Sequence, residues 1–166
     1  MSTPRDWARA YAHQADADLH TWNRLQPFDD VPACHKLLFL QMACEKLTKA
    51  YLCNAGSDPS GLQTSHAFTA KNLPIVVRHQ IIQLGGNVKT SEWILQHTKH
   101  LSQEIELLAP AVKRGGKRPD NCEYPWEEGG KIHLPLDHSF TSSALLTAPA
   151  GRTFLKLIQE AIRQLL

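Results

Sequence analysis

From Pro32 to Cys53 the chain carries a stripe that only a buried helix can use. Apolar or small residues recur three or four positions apart at Ala33, Leu37, Leu40, Cys44, Leu47 and Tyr51, the spacing of one face of an α-helix. Leu38, Met42 and Leu52 widen the stripe, which predicts a central helix covered on several sides. His35, Lys36, Glu45, Lys46 and Lys49 mark its polar side. Glu45 and Lys49 form an i,i+4 pair in the favourable order.

The flanking segments read as further helices. Thr3-Pro4-Arg5-Asp6 is a helix start, with a capping hydroxyl, a proline in the first turn and an acid at the positive end. That helix extends to Leu25, and Gln26-Pro27-Phe28-Asp29-Asp30 ends it. Turn-forming residues dominate 54–61. Ser65 is expected to cap a helix opening at His66, which Pro74 interrupts or restarts. Ile75, Val76, Ile81, Ile82 and Leu84 continue an apolar face as far as Gly85-Gly86. Thr90 or Ser91 then caps a helix from Glu92 to about Leu108, with Trp93, Leu101, Ile105 and Leu108 inward. Between 113 and 140 no helical period survives. So long a connection inside a compact domain is unusual, and Tyr124, Trp126, Ile132 and Leu134 are expected to pack and keep it ordered. Residues Thr141 to Leu146 can form one turn. Pro149 begins a last helix facing inward with Phe154, Leu157, Ile158, Ala161, Ile162 and Leu165. The expectation is one all-α domain over 1–166. It is an antiparallel, up-and-down bundle of four to five main helices with a long ordered loop before the last.

Hydrophobic residues at 42% and charged residues at 20% suit a globular chain. No apolar run reaches the ~20 residues that span a bilayer, and Met1 to Ala10 lacks a signal-peptide pattern. The formal charge of +2 permits a basic patch but gives no global pull on nucleic acid. Cys34, Cys44, Cys53 and Cys122 contain no CxxC pair. Cys34 and Cys44 lie about 15 Å apart along one helix, too far to bridge. Reduced, buried thiols in a cytoplasmic protein are expected.

Gln41-Met-Ala-Cys-Glu45-Lys46-Leu-Thr-Lys49-Ala50-Tyr-Leu52 resembles the second helix of HEPN proteins. Ser65-His66 stands where that family has a Ser/Thr-His pair, and Tyr124-Pro125-Trp126 is similar to a later Tyr-Pro element. The resemblance implies a helical bundle and a homodimer. It also implies links to nucleotide or RNA binding, RNA cleavage, or a nucleotidyltransferase-like protein partner, in settings such as bacterial defence or toxin–antitoxin pairs. Catalytic members carry Arg, four to six residues, then His. Arg5 and Arg9 stand at the wrong distance from His13, and Arg152 meets Gln159 at the allowed one. The expected function is therefore non-catalytic binding of a nucleotide, RNA or a partner. An atypical ribonuclease built on His66, Arg78 and Arg118, or a structural homodimer without ligand, are the alternatives.

Several residues can carry binding. Lys46 and Lys49 can meet phosphate as point charges, or simply solvate a helix face. His66 can move a proton near neutrality, or only follow a cap. Lys113, Arg114, Lys117 and Arg118 flank two glycines and can hold phosphates. Tyr124 and Trp126 can stack on a base, or pin the loop to the bundle. His97 and His100 share a face and, with His133, Asp137 or His138, offer nitrogen and oxygen ligands. No HExxH or paired-cysteine pattern accompanies them, so neither metal nor cofactor is expected.

Overall fold

The computed structural model describes residues 2–110 and 119–166. Seven helices and a two-stranded hairpin are found there: α1 (Pro4–Leu25), α2 (Ala33–Asn54), α3 (Pro59–Gln63), α4 (Thr69–Gln83), α5 (Glu92–Leu107), β1 (Trp126–Glu128), β2 (Lys131–His133), α6 (Thr141–Thr147) and α7 (Pro149–Leu165). The fold is all-α in character, a bundle of five long helices. Its most extensive contacts are α1 on α2 and α4 on α5, and α7 packs against all four. No helix is long and apolar enough to cross a membrane.

Local chemistry sets these boundaries. Thr3 and Asp6 form a reciprocal capping box at the start of α1. The helix α4 runs through Pro74, because losing one backbone hydrogen bond is outweighed by burying Leu73, Val76, Val77 and Ile81. It opens at Thr69, three residues beyond the position expected from Ser65. Its N-terminal amides are met from across the bundle, where Ala70 N–H donates to Glu106 Oε2 at 2.8 Å. Gly85, at φ +77°, turns the chain out of α4. Between α6 and α7 the backbones meet so closely that a Cβ on Gly151 would lie 2.1 Å from the Leu145 carbonyl oxygen. Only glycine lets α7 start there.

The core gathers Leu37, Leu40, Cys44 and Leu47 of α2 with Leu73, Leu101, Ile105, Phe154 and Ile158. Several expected core residues lie elsewhere. Ala33 is exposed and Tyr51 half-buried. Trp93 is exposed, because eight residues of helix turn through about 800°, leaving it some 80° off the Leu101 direction. Ile75 and Ile82 share an outward face of α4, and Leu84 is exposed beyond its end. The reverse error concerns Glu45 and Lys49, expected on a polar face but both buried.

Part of the long connection lies outside the described residues, and the part from 119 onward contains a hairpin where the sequence predicts an irregular loop. Cys122 anchors it, donating from its backbone N–H at 3.0 Å and from Sγ at 3.2 Å to the Leu108 carbonyl. Strand alternation places Trp126 inward, against His133, while Ile132 pairs with Glu127 on the outer side. Of the four residues expected to pack this segment down, Trp126 alone is buried; Tyr124, Ile132 and Leu134 are exposed.

Candidate functional site

The polar residues of α2 are organised by two buried carboxylates. Glu45 Oε1 accepts from Lys49 Nζ at 2.7 Å. Its Oε2 accepts from Gln41 Nε2 at 2.9 Å and is joined to His66 Nδ1 at 2.9 Å. Beside Glu45 in the sequence, Lys46 Nζ donates to Asp18 Oδ2 of α1 at 2.5 Å. Burial alone would raise the Glu45 carboxyl, but the hydrogen bonds from Lys49 and His66 outweigh it and hold the group below its ordinary range. Lys49 also lies 5.9 Å from the centre of the Tyr11 ring.

This network forms one wall of a cleft of about 540 Å³. Gln41, Glu45, Lys46 and His66 line it with apolar Leu38 and Met42, and Ala109, Pro110, Glu123 and Tyr124 close the other side. An Asx turn fixes that second wall: Asn121 Oδ1 accepts from Glu123 N–H at 2.9 Å and Tyr124 N–H at 2.7 Å. Tyr124 is 61% exposed, and Glu123 is exposed beside it. A volume of this size suits a small ligand or a few residues of a bound segment.

Of the residues singled out from sequence, Lys46, His66 and Tyr124 meet at this cleft, and Lys49 lies beneath it on Glu45. Neither lysine is a free cation, since each is already answered by a carboxylate. Arg78 is exposed on α4 and does not line the cleft. Trp126 is not available for stacking. It is buried, with His133 stacked at 5.8 Å and His138 edge-on at 5.0 Å. Lys113, Arg114, Lys117 and Arg118 lie outside the described residues. His97 Nε2 is engaged by the Leu145 carbonyl at 2.9 Å, and no three potential metal ligands cluster among the described residues. Glu45, Asp18 and Glu123 were missed as site residues. The Glu45–His66 contact joins positions 21 apart, which no local spacing announces.

Matched against family models, curated proteins and solved structures, the chain finds no counterpart in any of the three.

Proposed function

We propose that the chain is a non-catalytic binding protein with a HEPN-like bundle, and that the cleft beside His66 receives its ligand. The observation that carries this reading is the charge arrangement. Lys46 and Lys49 are neutralised in place, while the Glu123 carboxylate and the Tyr124 ring stand exposed on the opposite wall. A carboxylate beside an aromatic face favours a cation. The ligand is therefore a segment of a protein partner presenting arginine or lysine, and a nucleotidyltransferase-like protein is the partner class the resemblance suggests. A nucleotide or single-stranded RNA stands second. That reading rests on the exposed Tyr124 ring and on the basic run that follows Pro110 in the sequence.

Anisotropy titrations with an arginine-bearing peptide and with a single-stranded RNA separate the two. The peptide is expected to bind more tightly. Tyr124→Ala should weaken it by roughly 2- to 30-fold, the range for a cation over a ring, and Glu123→Gln should weaken it further. Tighter RNA binding, indifferent to Glu123→Gln, would favour the nucleic-acid reading; binding of neither would remove the cleft from consideration. The RNA is expected to stay intact. Cleavage lost in His66→Ala would instead establish an atypical ribonuclease, the reading that the Glu45–His66 hydrogen bond favours.

The proposal includes a cytoplasmic homodimer. Exposed Ile75 and Ile82 on one face of α4, with Leu84 and Trp93 nearby in the chain, leave apolar surface to cover. Light scattering should give twice 18.6 kDa; a monomer at micromolar concentration rejects this part.

A further inference from the structure

Most of the exposed large apolar side chains among the described residues fall into two groups, and the two groups carry opposite charge. The first lies on α4. Lys71, Ile75, Arg78 and Ile82 are all exposed, and their spacing sets them on a single outward stripe of the helix. Its other residues pack on α2, α5 and α7. From Pro59 to Ser91 the chain has no Asp or Glu, while Lys71, Arg78 and Lys89 add positive charge.

The second group lies on the hairpin. Ile132 stands across from Glu127 on the outer side and, at 68%, is the most exposed large apolar residue described. Leu134 continues β2 in extended backbone and is exposed. Two positions beyond Ile132, it shares the same side. Between 123 and 137 the acids Glu123, Glu127, Glu128 and Asp137 outnumber the one lysine, Lys131. Lys71, Arg78, Glu127 and Glu128 have no ion-pair partner among the described residues.

A second α4 is a poor cover for the first. An antiparallel pair that sets Ile75 on the partner's Ile82 brings the two Arg78 guanidinium groups together at its two-fold axis, and like charges there oppose association. The hairpin fits where α4 does not. Ile75 and Ile82 are about 10 Å apart along the helix, and Ile132 and Leu134 about 7 Å apart along the strand. We propose, building on the homodimer reading above, that the outward stripe of α4 in one copy binds the outer side of the hairpin in the other. Ile132 and Leu134 seat between Ile75 and Ile82, and Glu127 and Glu128 meet Arg78 and Lys71. A two-fold pair makes this contact twice.

Charge reversal on each patch tests this by light scattering and sedimentation. Lys71→Glu/Arg78→Glu and Glu127→Lys/Glu128→Lys change exposed residues only, so melting should match that of the natural chain. Each double variant alone should self-associate roughly tenfold or more weakly, because like charges then face each other across the contact. An equimolar mixture of the two should regain the natural dimer strength. In it the charge-reversed α4 meets the charge-reversed hairpin, and the two unaltered patches meet each other. Raising salt should loosen the natural and the mixed dimers alike. A monomeric natural chain would remove both the homodimer and this contact. Variants that dimerise as the natural chain does would leave the homodimer standing and overturn the contact. So would variants that dissociate and do not recover on mixing.

Discussion

Glu45→Ala is expected to cost about 3–5 kcal/mol in folding stability, the range for breaking a buried ion pair by removing one partner. Lys49 is only 4% exposed and would be left as a buried ammonium whose carboxylate acceptor is gone. Gln41 and His66 would lose the same acceptor. Urea unfolding measures the loss. The double variant Glu45→Leu/Lys49→Met should regain most of it, since apolar residues of similar volume often replace a buried pair at no cost. A single-variant loss below about 1 kcal/mol would mean that solvent reaches Lys49. The pair also sets an acid limit. Because the folded carboxyl lies below the ordinary glutamate value of 4.5, its stabilisation is fully present above that pH. It is lost as pH falls through the folded value. Glu45→Gln should flatten stability against pH in that acid range.

Leu47→Ala is expected to cost about 2–5 kcal/mol, the transfer term of the lost side chain plus the cavity it leaves. Leu47 is fully buried on the inner side of α2, the helix against which α1, α4, α5 and α7 are assembled. Packing from several sides limits how far neighbours can relax into the void, which places the cost toward the upper end. The unfolding midpoint should fall while its denaturant slope stays constant. A cost below about 1 kcal/mol would mean the site collapses freely and α2 is not the organising helix.

Helix α2 was legible because its stripe repeats over five turns and meets other helices along its whole length. The start of α1 at Thr3-Pro4 and the start of α7 at Pro149 were legible because local chemistry decides both. What escaped the sequence was decided between distant segments. Glu45 and Lys49 look like a solvent-facing pair by spacing, yet α1 and the turn at His66 bury them. Ser65 looks like a cap, but Glu106 meets the start of α4 from 36 residues away. Tyr124 and Trp126 are two residues apart, and each could have been the one turned inward. Pairing with β2 settles that for Trp126, and the Asn121 turn leaves Tyr124 at the cleft.

The four cysteines make the protein a recorder of its own opening. Cys34, Cys44 and Cys53 sit near the start, middle and end of α2, and Cys122 clips the hairpin segment to the end of α5; all four are buried and unbridged. Burial pushes each thiol upward, Cys122 to about 12, so the reactive thiolate is scarce while the fold is closed. A thiol reagent under native conditions therefore reports excursions instead of surface exposure. Modification at Cys53 ahead of Cys44 would mean that α2 frays from its end, whereas simultaneous modification at all three would mean that the bundle opens as one unit.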